Sequence, residues 1–247
     1  MDYLYDGSFE GLLTAIYLNY YEEKALGIYP EANYQYAILT PYKVVQTDSL
    51  QAAKVYEAVE NKISRETLRL IYYVYLSSHP RKENLILTYV ELGFKLGAKI
   101  DGYHTHSDVF PIAATARKVS LETHRFLGLL RFSEAKGFLY AVFEPDHNIL
   151  VLMAEHFSDR LAGENFIIHD RKRNLAVIYD QKEWVLTDFQ VDKDFQITDS
   201  EAFYQGLWTA YFNHIAIDNR KNKKLQAHFI PQRYRHNLVE FVKSFPP

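Results

Sequence analysis

The spacing of apolar residues changes near residue 137, and this change limits the chain to a mixed fold. Before it, apolar residues recur three and four positions apart, as they do on one face of an amphipathic helix. After it, short runs rich in aromatic and β-branched residues alternate with turn residues, which is typical of strands. The sequence therefore predicts an α+β fold.

The first part of the chain predicts a short strand and five helices. The strand is Tyr3–Tyr5. Ser8, Asp48 and Ser64 are of the residue types that cap helix N-termini, and we predict that they begin the first three helices. The expected helices cover 9–20, 49–61, 65–76, 83–96 and 111–127.

The later part predicts a small antiparallel sheet with packed helices and a helical tail. Strands are expected at 137–143, 165–169, 175–179 and 183–186, with a helix over 148–161 after the first of them. The tail is expected to be helical over 199–215, 219–229 and 231–242. We predict a mainly helical region over 1–110 and an α+β region with a basic helical tail over 111–247, or one continuous domain.

Composition and missing motifs exclude several kinds of chemistry. The chain has no cysteine, which excludes disulfides, thiolate zinc sites, iron–sulfur ligation and a cysteine nucleophile. It has no glycine-rich phosphate loop and no familiar hydrolase or metalloprotease motif. We predict no metal and no cofactor. Since no leader sequence and no long apolar run is visible, a cytoplasmic protein without membrane contact is expected.

Charge is distributed unevenly along the chain. Residues 1–60 hold three basic and nine acidic side chains, whereas residues 212–247 hold seven basic and two acidic ones. Such segregation permits a basic face on an acidic protein, but solvated helices with alternating charge are the simpler explanation. The 20 tyrosines fit half-buried packing, or base stacking where basic residues surround exposed rings.

Two clusters are candidates for metal or acid–base chemistry. His104, His106 and Asp108 have metal-ligand side chains, but a turn-rich stretch without a distant third ligand favours a surface loop. Asp146 and His147 follow a strand and precede a helix. Asp146 at that place is either a helix cap or half of an acid–base pair with His147.

Basic residues gather in three further places. His169, Asp170 and the run 171–173 close a predicted strand, either as a solvated hairpin turn or as a loop that contacts phosphate. A second group surrounds 124–131, and the basic tail over 220–236 interleaves cations with amide side chains and a tyrosine. The basic tail is the strongest indication of nucleic-acid binding in the sequence.

Several segments together resemble a bacterial family of DNA-metabolism or DNA-repair proteins. The resemblance spans nearly the whole chain and is strongest from residue 117 onward. The segments that carry it are Tyr5–Leu13, His124–Phe132, Tyr140–His147, His156–Arg160, Phe166–Asp170, Leu207–Phe212, Arg220–Asn222, Gln226 and Pro231–Tyr234.

The resemblance implies a partner rather than a mechanism. Members of the family are encoded beside a radical SAM protein, and some are fused to a uracil-DNA-glycosylase-like domain. We expect this chain to be the stand-alone form, without the glycosylase-like fusion. Because it has no cysteine to hold a cluster, we expect any radical chemistry to belong to the partner. The family supplies no catalytic residues to carry over.

Both lines of reasoning lead to the hypothesis of a DNA-binding accessory protein that acts with a radical SAM partner. Expected phosphate contacts are Arg117, His124, Arg125, Arg131, Arg160, Arg171, Arg173, Arg220 and Arg233. Expected stacking rings are Trp208, Tyr211 and Tyr234, and Asn222 and Gln226 are expected to read base edges or backbone. One alternative is a protein–protein adaptor without DNA contact. The other is an enzyme that acts on a DNA base or phosphodiester through Asp146, His147, His169 and Asp170.

Overall fold

The computed structural model describes residues 1–36, 38–135, 137–190, 204, 207, 227 and 229–241. The chain divides into two compact units, Met1–Ser120 and Leu121–Pro247. Helices and two sheets occur together, so the predicted α+β class is confirmed. Among the residues just given, no helix has the length and apolar character needed to cross a membrane.

The first unit contains a three-stranded parallel sheet that the sequence did not predict beyond its first strand. The strands are β1 (Asp2–Tyr5), β2 (Gly27–Pro30) and β3 (Tyr42–Val44), in the spatial order β2-β1-β3. β1 pairs in parallel with both neighbours. Strands of three or four residues are too short to show a period, and their pairing depends on residues far apart in the sequence.

Helices surround this sheet, and the predicted caps are confirmed. They are α1 (Phe9–Tyr21), α2 (Ser49–Lys62), α3 (Arg65–Leu76), α4 (Lys82–Leu96) and the first part of α5 (Phe110–Leu129). Ser8 Oγ accepts the N–H of Gly11 at 2.9 Å, and Ser64 Oγ accepts the N–H of Thr67 at 2.9 Å. Asp48 Oδ1 caps α2 in the same way. These bonds satisfy N–H groups that a helix leaves without intrahelical partners.

The core of the first unit lies around β1. Tyr3, Leu4 and Tyr5 are buried, as expected for a central strand of a parallel sheet that is covered on both faces. The Tyr5 hydroxyl donates to Glu83 Oε1 at 3.0 Å, so its polar end is satisfied inside the core.

The second unit contains a five-stranded mixed sheet. The strands are β4 (Ser133–Ala135), β5 (Phe138–Phe143), β6 (Phe166–Asp170), β7 (Leu175–Tyr179) and β8 (Trp184–Asp188), in that spatial order. β5 and β6 are parallel, with Leu139 opposite Phe166 and Phe143 opposite Asp170, and the other pairs are antiparallel. The sequence predicted a small antiparallel sheet, and the structure differs from it in one pair, β5 with β6, which is parallel. The reason is that α6 (Leu150–Arg160) forms a crossover between these two strands.

The parallel pair determines where loops can meet. Both β5 and β6 end at the same edge of the sheet, so the loop 144–149 and the turn 171–174 lie side by side. Beneath them, Phe143 and Phe166 are buried with Phe157 of α6 and Phe126 of α5.

The C-terminal tail is described only in part. A 3-10 helix covers Gln232–Asn237, where the sequence predicted a longer helix over 231–242. The predicted tail helices over 199–215 and 219–229 lie almost entirely outside the described residues.

Candidate functional site

Polar side chains from four segments meet at the carboxyl edge of β5 and β6. The segments are α5, the loop 144–149, the turn 171–174 and the 3-10 helix Gln232–Asn237. We call the following residues the edge cluster: Glu122, Glu144, Asp146, Asp170, Arg171, Arg173, Arg233, Tyr234 and His236.

Glu122 is the buried anchor of the cluster. Its side chain is buried on α5. Oε1 accepts the N–H of Asp146 at 2.8 Å and the hydroxyl of Tyr234, and Oε2 accepts the N–H of His147 at 2.8 Å. The Glu122 carboxylate accepts three hydrogen bonds, which offset the cost of burying its charge. The same bonds fix the 144–149 loop and the 3-10 helix to each other.

An ion pair with a buried carboxylate fixes the 171–174 turn. Asp170 is fully buried, and its Oδ2 binds Arg173 Nη1 at 2.7 Å. The Arg173 guanidinium also donates to the carbonyl oxygens of Pro145 at 3.2 Å and Asp146 at 2.7 Å. Burial raises the pKa of Asp170, and the hydrogen bond from Arg173 opposes that rise. Arg173 therefore links the 171–174 turn to the 144–149 loop.

The outer rim of the cluster carries two arginines and a histidine that remain accessible. Arg171 and Arg233 have side chains that are 57% and 55% exposed, and that of His236 is 47% exposed. Arg171 Nη1 and His236 Nε2 each lie 3.5 Å from the Glu144 carboxylate. Arg233 Nη2 lies 2.7 Å from Asp146 Oδ2. Each of these pairs is open to water, unlike the pair between Arg173 and Asp170.

Tyr234 has a structural place in the cluster. It is 3% exposed, and its ring centroid lies 4.6 Å from that of Phe126. Burial and the hydrogen bond to Glu122 raise the pKa of its hydroxyl. Its ring is therefore not available for base stacking in this arrangement. The Arg233 guanidinium lies over the ring, 4.6 Å from its centroid.

The structure brings only part of the predicted acid–base set together. Asp146, His147 and Asp170 lie at the edge, where Asp146 does not cap α6 as predicted, because the N-cap residue is Ile149. His169 is adjacent to Asp170 on β6, so its side chain points to the opposite face of the sheet. There the His169 ring is 3% exposed, and its Nδ1 lies 2.8 Å from the Tyr140 hydroxyl. Burial and the nearby Arg171 charge lower the pKa of His169.

The remaining predicted contacts fall into three groups. The Arg131 guanidinium lies 2.7 Å from the Glu240 carboxylate and donates to the Gly128 carbonyl oxygen at 2.9 Å, so it links the end of α5 to Glu240. Arg117 and His124 are exposed on α5, and Arg160 is exposed at the end of α6. Arg125 is half-buried on α5. Outside the described residues lie Trp208, Tyr211, Arg220, Asn222 and Gln226.

The predicted surface loop with two histidines lies in turns before α5. His104 is exposed, and His106 Nδ1 accepts the N–H of Asp108 at 3.2 Å. Within the part of the chain that the structure describes, no group of three or more histidine, aspartate or glutamate side chains is arranged to hold a metal ion.

The sequence analysis did not identify Glu122, Glu144 or His236 as site residues. A signal for Glu122 was present: it falls on the apolar face of α5, three residues after Val119 and four before Phe126. A carboxylate in an apolar stripe requires buried donors. His236 is contiguous with the basic tail that sequence reasoning had already singled out.

Comparison with known proteins adds one match. The model of a protein family described as a domain of unknown function, DUF4130, matches residues 80–240, which is well over half of the chain. The match includes every residue of the edge cluster. No curated protein and no solved structure matches the chain.

Proposed function

The chain belongs to the DUF4130 family, and from this premise we propose that it is a DNA-binding accessory protein whose phosphate contacts lie at the edge cluster. One observation carries the proposal: two exposed arginines, Arg171 and Arg233, and the exposed imidazole of His236 converge on a single short loop from two separate segments. Cations at loop tips that share one edge are suited to follow a phosphate backbone.

Phosphate can bind these cations without disrupting the fold. Exposed ion pairs contribute only about 0–1 kcal/mol each, so exchanging the Glu144 carboxylate for a phosphate oxygen costs little. A guanidinium has several N–H donors, and Arg233 can keep its bond to Asp146 while it donates to a phosphate. Lys172 is also exposed in the same turn and adds a further charge.

The buried part of the cluster supports the exposed part. Glu122 fixes the 144–149 loop, and Arg173 ties that loop to the turn that carries Arg171. Loops held in this way lose little conformational freedom when a ligand binds. We therefore assign Arg173 and Arg131 to structure, and Arg171 and Arg233 to DNA contact.

The proposed partner is a radical SAM protein, and the resemblance of the sequence to its family is the support for it. The chain has no cysteine thiolates for an iron–sulfur cluster, so the proposal places radical chemistry in the partner. The role left to this chain is to hold DNA for that partner.

The experiment is fluorescence anisotropy with single-stranded, duplex and uracil-containing DNA across a salt series. Arg171→Gln and Arg233→Gln remove one positive charge each at the edge cluster. Arg65→Gln is the matched control, because Arg65 has an 89% exposed side chain paired with Glu60 in the first unit. We expect each edge variant to weaken binding and the control to bind like the wild type.

Other outcomes assign the protein to the alternative classes. No binding at 50 mM salt, or binding that does not change with salt, overturns the proposal and favours an adaptor that contacts only protein. Turnover of the DNA, with loss on Asp146→Asn, overturns the accessory role in favour of an enzyme.

A further inference from the structure

β3 is an edge strand whose backbone is open on one side. Its inner side pairs with β1: the Pro41 carbonyl oxygen accepts the N–H of Asp2 at 2.8 Å, and the N–H of Val45 donates to Leu4 at 2.7 Å. Alternate residues of a strand direct their N–H and C=O groups to opposite sides. Tyr42 and Val44 therefore direct theirs away from β1, and within the described residues no further strand pairs with β3.

The side chains around this edge are apolar and exposed. Tyr42 is 49% exposed and Val44 is 39% exposed, although both lie in a strand. Three of the tyrosines contact one another, with the Tyr36 ring centroid 5.1 Å from those of both Tyr34 and Tyr42. We call the following residues the tyrosine patch: Tyr34, Tyr36, Ile38, Leu39, Tyr42 and Val44.

An exposed edge strand with apolar side chains is a template for pairing with another chain. Proteins usually block such edges with charged residues or by covering them. Here Ile38 and Leu39 beside the strand are more than 90% exposed, and Lys43 is held by Glu22. Among the residues that the structure describes, nothing pairs with this edge, which leaves it open to an extended polypeptide.

Charge identifies which polypeptide fits. Between residues 28 and 47 the only charged side chains are Glu31 and Lys43, and Lys43 is already paired with Glu22. A strongly charged partner gains nothing at such a surface, whereas a copy of the same neutral surface meets no net repulsion. We propose that the occupant is a second copy of this chain, joined edge to edge through β3 in a two-fold symmetric dimer.

The register of this dimer follows from the same residues. A two-fold axis at Lys43 would place two ammonium groups directly opposite each other, which is destabilising. An axis at Tyr42 instead places Tyr42 opposite Tyr42 of the second copy, and Val44 opposite Thr40 of the second copy. Because Tyr42 directs its N–H and C=O groups outward, the two Tyr42 residues form an antiparallel hydrogen-bonded pair, and Val44 supplies a further outward N–H beside it. The two parallel three-stranded sheets then become one six-stranded sheet with a shared tyrosine cluster.

The test is the molar mass of the full chain in solution, without DNA, so it is independent of the proposed function. Light scattering after size exclusion is measured from about 1 µM to about 100 µM protein, the range in which a micromolar dimer dissociates. We expect the mass to rise with concentration from 29.0 kDa towards twice that value.

Two pairs of variants test the edge itself. Val44→Pro removes an outward N–H and leaves the bond from Val45 to Leu4, whereas Val44→Thr keeps the N–H. Tyr42→Lys places two charges at the two-fold axis, whereas Tyr42→Phe keeps the ring. We expect at least tenfold weaker dimerisation for Val44→Pro and Tyr42→Lys, and no more than a small change for the two controls.

The result that overturns the inference is a mass of 29.0 kDa at every concentration, or a dimer that both disruptive variants leave intact. Circular dichroism confirms that each variant is folded. If Val44→Pro does not fold, the result for Tyr42→Lys decides whether the dimer forms through β3. That variant is expected to fold, because Tyr42 is 49% exposed in the wild type.

Discussion

Replacing Glu122 by alanine tests whether the edge cluster is held by one buried carboxylate. The change removes the acceptor for the N–H groups of Asp146 and His147 and for the hydroxyl of Tyr234. Hydrogen bonds to a charged acceptor contribute about 1.5–3 kcal/mol each, and they are not additive when water enters the gap. We expect Glu122→Ala to lower the free energy of unfolding of the second unit by about 4 kcal/mol.

The assay is urea denaturation followed by tryptophan fluorescence. Both tryptophans, Trp184 and Trp208, belong to the second unit, so the signal reports that unit selectively. With a urea m value of about 2 kcal/mol/M, the expected loss moves the midpoint by about 2 M. Glu122→Gln keeps one acceptor oxygen, and we expect it to cost about 1–2 kcal/mol.

Glu155→Ala is the matched control, because Glu155 is an exposed glutamate on α6 in the same unit. We expect that change to lie within about 0.5 kcal/mol of the wild type. If Glu122→Ala lowers the stability by less than about 1 kcal/mol, the carboxylate does not hold the loops as described.

Two further predictions concern the buried and exposed parts of the second unit. Arg173→Ala leaves the carboxylate of Asp170 buried without its cation and should cost about 3–5 kcal/mol in urea unfolding, whereas Arg171→Ala should cost no more than about 1 kcal/mol; equal costs would contradict the division into structural and rim cations. The folded-state pKa of His169 is lowered, so the unfolded chain binds the additional proton and stability falls as pH drops below 6.5 towards the folded pKa. His169→Phe should remove part of that loss in urea titrations at pH 5.5 and 7.5, and an unchanged pH dependence would contradict the assignment.

Sequence alone predicted the elements whose signals are local. Ser8 and Ser64 were identified as caps because capping needs only a side-chain oxygen and the next turn of backbone. The same reasoning failed at Asp146, which precedes α6 but binds Arg233 instead. Its partner comes from a distant segment, and nothing in the local sequence identifies it.

Long-range pairing explains the other differences between prediction and structure. The strands β2 and β3 are defined by pairing with β1, and the parallel register of β5 with β6 depends on the α6 crossover. The edge cluster inherits this dependence. The basic residues of the cluster were identified from the sequence. Whether each of them is buried or exposed depends on the contacts that Glu122 and Asp170 make.

The salt dependence of duplex DNA binding, measured for the wild type and the Arg171→Gln/Arg233→Gln double variant, shows whether the edge cluster contacts phosphates. Each lost phosphate contact reduces the slope of log affinity against log salt by about 0.9. We expect the double variant to bind more weakly and its slope to be shallower by about 1.8. An unchanged slope would show that the edge cluster does not contact the DNA backbone.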